Sequence, residues 1–228
     1  MAGLKVFFDS FSQPSRAVLL LLHANNVKFE PRMIKIAKAE NRTDEEFLRV
    51  NPHKKVPAID DNGFTLSESS AILRYLVTKY KLPDHWYPSD VAKRARVDEY
   101  LSWHSSNLRV GAAELIFSKV FMPSLLGKEG NPERTSQLEA LLGKCKKMLE
   151  TYFLKDHKFI CGDEISIADL QAVCELTQFW VAGSDPCEGR PTIARWMGEV
   201  QSTLGPSFDE VHKMVYMARD RGIFKGKL

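Results

Sequence analysis

Ser12-Gln13-Pro14-Ser15 follows directly on the apolar run Leu4-Lys5-Val6-Phe7-Phe8. A short apolar run broken by one charge reads as a mostly buried strand. Proline suits the first turn of a helix, where its missing N–H has no intrahelical partner to lose. Ser12 therefore stands at a strand-to-helix turn. A helix N-terminus presents free N–H donors and the positive end of the helix dipole, so an anion is stabilised there. A hydroxyl at that place can donate a hydrogen bond to a ligand sulfur. Both ends of the box are serine, so the dithiol chemistry of a C-x-x-C pair is excluded here. The same serine equally suits a plain helix cap.

Two further places carry residue types that bind an amino-acid-like ligand. Val56-Pro57 opens a strand after Lys54-Lys55. A cis bond there would turn the Val56 backbone towards an extended peptide ligand. An ordinary trans bond is the alternative, since only about 5–6% of X–Pro bonds in folded proteins are cis. Ser67-Glu68-Ser69 begins a helix after a hairpin. Ser69, with its own N–H at a helix N-terminus, suits a carboxylate, and Glu68 suits an ammonium group. Together they match the head group of an α-amino acid. The alternative is a capping cluster on a solvated helix end.

These residues need a scaffold, and the pattern around them supplies one. The first helix runs to Leu22 and ends near Asn25-Asn26, residues that tolerate a left-handed conformation. Residues 27–36 predict a second strand, with Pro31 placing at least its first part on a sheet edge or bulge. A short helix is expected over 43–50, capped by Thr43 with Glu46 three residues on. Asp60-Asp61-Asn62-Gly63 carries turn chemistry between two short strands, and a helix follows over 67–80. This is a small mixed sheet with helices packed on it. Residues 81–88, with two prolines and two aromatics, read as a linker. Beyond them the strand signal disappears. One long helix is expected from 90 to about 120, interrupted at Gly111 and ended by Pro123, and a second over 132–153. Further helical segments fill 167–180, 191–202 and 208–217. The predicted organisation is an α/β domain over 1–82, a linker over 83–90 and an all-helical domain over 91–228.

Composition narrows the function classes. With 44% hydrophobic and 27% charged residues in 228, the chain falls among ordinary globular proteins. The apolar run Ala17-Val18-Leu19-Leu20-Leu21-Leu22 is far too short to span a bilayer. The start lacks the pattern of a secretory signal, and Gly226-Lys227-Leu228 only partly echoes a peroxisomal address. Cys145, Cys161, Cys174 and Cys187 are widely spaced, which fits reduced thiols rather than a zinc site or disulfide framework. A formal charge of +3, with basic and acidic residues interspersed, sets nucleic-acid binding aside. No metal site and no prosthetic group are expected.

In order and spacing, Ser12-Gln13-Pro14, Asn51-Pro52 ahead of Val56-Pro57, and Glu68-Ser69 resemble the glutathione transferases. Ser166-Ile167-Ala168-Asp169 resembles that family's N-capping box, with Ile165 and Leu170 as its hydrophobic staple. Asp84-His85-Trp86-Tyr87-Pro88 and the stretch Ala95-Arg96-Val97-Asp98-Glu99-Tyr100-Leu101 look like the theta class in particular. The resemblance, which covers nearly the whole chain, implies a thioredoxin-like domain that binds glutathione and an all-α domain that completes the electrophile site. It implies a cytoplasmic homodimer that conjugates glutathione to halides or epoxides, with organic hydroperoxides as further acceptors. Non-catalytic assembly modules and ligand carriers of the same fold are the rival reading. Ser12 matches the theta serine that activates the thiol. Glu68 and Ser69 match the grip on the γ-glutamyl group. Lys55 and Val56 match the segment that pairs with the cysteinyl backbone and reaches towards the glycine end. Asn41 falls where the theta pattern commonly has histidine, which alters the glycine-carboxylate contact. Arg109 matches an arginine near the theta site, although a solvated basic residue explains it as well. Leu115, Phe117, Val211, Met214 and Val215 are either pocket lining or ordinary core. The chain ends before the C-terminal extension of vertebrate theta enzymes, from which a more open pocket is expected.

Overall fold

β1 (Leu4–Phe8) is an interior strand of a four-stranded sheet of order β2-β1-β3-β4, with β2 at Glu30–Met33, β3 at Ala58–Asp61 and β4 at Phe64–Ser67. The computed structural model describes residues 3–224, so the start of the chain and Gly226-Lys227-Leu228 lie outside the described residues. β2 runs parallel to β1, which requires a crossover, and α1 (Gln13–Ala24) provides it. β3 and β4 are antiparallel neighbours joined at Asn62-Gly63, where both residues have positive φ. Pro31 sits in β2, the edge strand, where a missing donor costs no interior ladder. That strand is shorter than 27–36. Past Met33 the chain leaves the sheet, Ile34 N–H still bonding Phe8 O at 2.8 Å and Ile36 N–H bonding the Asp9 carboxylate at 3.0 Å.

The helix expected over 43–50 is two helices, α2 (Glu40–Thr43) and α3 (Glu45–Val50). Asp44, not Thr43, is the cap of the second, accepting from Phe47 N–H at 2.8 Å. Thr43 is instead the last residue of α2. α4 (Ser69–Lys79) closes this half, and α1 lies between the sheet side and α7 (Ile167–Thr177). A helix covered on both faces must be apolar all round. That is why every residue from Ala17 to Leu22 is buried.

The second half is helical. α5 (Val91–Ser106) continues through widened π-type turns at Val110–Glu114 and Phe117–Leu126. The chain thus stays helical past Pro123 and stops at Gly127, whose φ of 60° is the left-handed geometry of a helix end. Gly111 does not break the path. A Cβ there would meet the Leu142 backbone nitrogen at 3.2 Å, so glycine lets α6 (Pro132–Met148) approach closely. α8 (Pro191–Leu204) and α9 (Pro206–Asp220) complete this half. Among the described residues no helix is long and apolar enough to cross a membrane. The four cysteines are free thiols.

Asp169 in the first turn of α7 is fully buried and gathers donors from three elements. It accepts from Ser166 N–H at 2.9 Å, closing the capping box, from Ile160 N–H at 2.9 Å and from the Trp196 indole at 2.8 Å. Ile165 and Leu170, the two staple positions, are buried at either end of that box. The linker is pinned to both halves: Trp86 donates to Asn25 Oδ1 at 3.0 Å, and His85 Nδ1 meets Ile165 O at 2.6 Å.

His212 on α9 gives the fold a pH signature. Its Nδ1 lies 2.8 Å from Phe208 O and donates to that carbonyl, and its Nε2 lies 3.0 Å from the Thr177 hydroxyl, which also reaches Cys174 O at 3.3 Å. Burial, with Arg16 adding to it, pushes its pKa down to about 3. Because the folded value is depressed, the unfolded chain takes up a proton below about pH 6.5 that the folded chain refuses. Stability is then lost at about 1.4 kcal/mol per pH unit, until the folded ring itself titrates. His104, held down to about 3 by the same cause, adds an equal slope. In urea unfolding between pH 6.5 and 4, His212→Gln is expected to halve that joint slope; an unchanged slope would show that His212 is not buried neutral.

Candidate active site

The turn that carries Ser12 is tied down on every side. Asp9 accepts from Phe11 N–H at 2.8 Å, and Ser12 N–H bonds Asp9 O at 3.0 Å. Arg16, fully buried, donates to Ser10 O at 3.3 Å and across to Cys174 O of α7 at 2.9 Å. Ser12 has extended backbone angles and is the N-cap of α1, its oxygen accepting from Ser15 N–H at 3.4 Å. As acceptor in that long bond, Ser12 keeps its own hydroxyl hydrogen to donate elsewhere. The cap and the donor are one residue in two roles.

The second element is the loop before β3. Asn51 is buried, and its side chain donates to Lys55 O at 2.6 Å while accepting from His53 N–H at 3.0 Å. Asn41, on α2, donates to Lys54 O at 2.9 Å. The Val56–Pro57 bond, which the sequence left open, is cis. Glu68 comes next, with φ 69° and ψ 110°. A non-glycine residue held in that region costs about 1–3 kcal/mol and persists where the surroundings impose it. α4 begins at Ser69, whose Oγ accepts from Gln171 Nε2 at 2.8 Å.

The loop before β3 and the start of α4 line a cavity of about 340 Å³ at the seam between the two halves. Lys55, Val56, Glu68, Ser69 and Arg109 all line it. Pro14 of α1 is part of the wall; Ser12, two residues before it, and Asn41, which bonds Lys54 O, are not among the lining residues. The helical side contributes His104, Arg109 and Gln171. Arg109 is not a solvated surface residue: its Nη1 lies 2.9 and 3.2 Å from the two oxygens of Glu175, which is fully buried. Burial raises the Glu175 pKa, against the pull of Arg109 and Arg16. Leu115, Val211 and Val215 belong to the core, Phe117 is half exposed and Met214 is partly buried. Beside the Ser12 turn, Phe11, Phe224 and Phe121 form an edge-to-face aromatic wall with ring spacings of 5.5 and 5.0 Å. Sequence reasoning passed over His104, Gln171 and Glu175. For Gln171 and Glu175 the signal available was two polar residues, four apart, inside a largely apolar helix.

Comparison with known proteins agrees with this layout. The family profile described as "Glutathione S-transferase, N-terminal domain" matches residues 4–78, and its C-terminal counterpart matches 114–203. Human glutathione S-transferase theta-1 is 42% identical over 96% of this chain and 91% of its own length. The chain belongs to the theta class of the glutathione S-transferase family. Mouse theta-3 is 43% identical over 96% of this chain and 90% of its own. Among solved structures, apo human glutathione S-transferase T1-1 superposes with a TM-score of 0.89 at 42% identity, covering 96% of this chain and 91% of that one. Human theta-2, solved in complex with glutathione, gives 0.90 at 38% identity over 96% and 90%. The fold of this transferase is accordingly the thioredoxin-like domain plus helical domain of that family.

Proposed function

We propose that this theta-class transferase binds glutathione along the Lys55–Ser69 wall and ionises its thiol at Ser12. The observation that carries the reading is the cavity that the Val56–Pro57 loop and the Glu68–Ser69 helix start line together with Pro14 of α1, two residues past Ser12. Glu68 takes the ammonium and Ser69 the carboxylate of the γ-glutamyl group. The Val56 backbone pairs with the cysteinyl residue, and Lys55 reaches towards the glycine end, with Asn41 acting behind it. The thiol then lies at the α1 N-terminus. A free thiol of pKa about 8.5 is only a few per cent ionised at neutral pH. Lowering it by about two units, roughly 2.7 kcal/mol, makes the thiolate a major species. A hydroxyl donor together with the helix dipole is of the size needed. The thiolate attacks an electrophilic carbon and displaces a leaving group, and Ser12 is never covalently modified. A cytoplasmic homodimer with a domain boundary at 83–90 belongs to the same reading, which rests there on family membership.

Glutathione-dependent turnover against halides, epoxides and organic hydroperoxides tests the activity directly; no turnover with any of them would overturn it. Glu68→Gly separates binding from folding. Glycine accepts positive φ without penalty, so stability is expected to hold or rise by about 1 kcal/mol. The carboxylate partner of the ammonium is lost, so KM for glutathione is expected to rise at least about tenfold, the value of one charge-assisted hydrogen bond. An unchanged KM would remove Glu68 from the γ-glutamyl site.

A further inference from the structure

On α7, packed against α1, Gln171 lines the cavity and Glu175 bonds Arg109, which lines it. The two α7 residues are four apart and so lie on one face of the helix. Both are essentially inaccessible to water, at 1% and 0% exposure. A buried amide and a buried carboxylate are tolerated only where partners satisfy them. Their partners here are cavity residues from elsewhere in the chain. Gln171 Nε2 donates to Ser69 Oγ at 2.8 Å and lies 3.4 Å from Ser70 Oγ. Glu175 grips one nitrogen of Arg109, leaving the rest of the guanidinium to the cavity it lines.

We propose that Gln171 and Glu175 are positioning residues, through which one face of α7 sets separately the two polar groups, Ser69 Oγ and the Arg109 guanidinium, that the cavity presents to its reactants. The chemistry differs at the two groups. Ser69 Oγ accepts a hydrogen bond from Gln171, so its own hydroxyl hydrogen is free for a ligand carboxylate and is strengthened as a donor by the bond it accepts. Glu175 fixes where the Arg109 cation stands in the cavity wall, where it would stabilise negative charge that develops during the reaction. The inference rests on the glutathione reading above. It goes further in assigning function to residues of the helical half that act through Ser69 and Arg109.

The test is steady-state kinetics on the full-length protein, with active sites counted by glutathione titration calorimetry. Gln171→Met is expected to raise KM for glutathione roughly tenfold while kcat stays within about twofold, the signature of lost ground-state binding. Glu175→Gln is expected to lower kcat roughly tenfold with the glutathione KM nearly unchanged, and Glu175→Asp to recover part of that loss. In a double-mutant cycle, Glu175→Gln added to Arg109→Gln is expected to cost nothing beyond the Arg109 change alone. If Glu175→Gln does not fold, the Glu175→Asp and Arg109→Gln pair supplies the same cycle. Variants that melt earlier but keep wild-type constants per active site would overturn the proposal, as would additive effects in the cycle. Absence of glutathione-dependent turnover in the wild type is a separate outcome, and it would overturn the underlying reading instead.

Discussion

Ser12→Ala is expected to lower kcat about 10- to 100-fold while glutathione still binds, because one hydrogen bond to an ion is worth about 1.5–3 kcal/mol. The bound thiol loses a donor that favours its charged form, so its pKa rises by about one to two units. The pH profile of kcat/KM should therefore move its rising limb in the alkaline direction. Thiolate absorbance of the bound glutathione should shift with it. Residual activity is expected, since the α1 N-terminus still favours an anion. The substitution also removes the N-cap of α1, a loss of about 1 kcal/mol in stability. Rate and stability are thus separable: only the donor role moves the pH profile. Full turnover with an unmoved profile would mean that another group ionises the thiol.

Asp169→Ala is the substitution expected to harm the fold most. It strips a partner at once from Ser166 N–H, Ile160 N–H and the Trp196 indole, all in a region closed to water. Each buried donor left unpaired costs about 1–3 kcal/mol, so a total loss of at least about 3 kcal/mol is expected. Asp169→Asn keeps an oxygen for Ile160 and Trp196 but turns an amide N–H towards Ser166. It should cost less, and break only the capping box. Urea unfolding of the two variants checks the order. If Asp169→Ala unfolds like the parent protein, the hub carries no net stability. No kinetic constant of the correctly folded fraction should change, in contrast to Ser12.

What was legible in the sequence had local causes. Pro14 marks the start of α1, Asn62-Gly63 the hairpin, and Pro31 the edge strand, because each fixes backbone angles without reference to distant residues. Ser12, Val56 and Glu68-Ser69 sit at just such turns. Boundaries set by competition between neighbours were not legible. Asp44 outcompetes Thr43 as a cap, a carboxylate being the stronger acceptor for a helix start. The continuation through Pro123 depends on widened turns in an apolar stretch, which helical periodicity does not register. The helical side of the site was hidden for another reason. Gln171 meets Ser69 across 102 positions, and Glu175 meets Arg109 across 66, so each pairing exists only once the halves are packed.

The pinned linker has a consequence for how the enzyme handles its reactants. Trp86 on Asn25, His85 on Ile165 and Arg16 on Cys174 fasten the two halves on either side of the connecting chain. A hinge needs residues that are free to change their backbone angles, and here those positions are bolted down. Entry of electrophile and exit of product are then matters of side-chain movement at a fixed mouth, with no swinging of one domain away from the other.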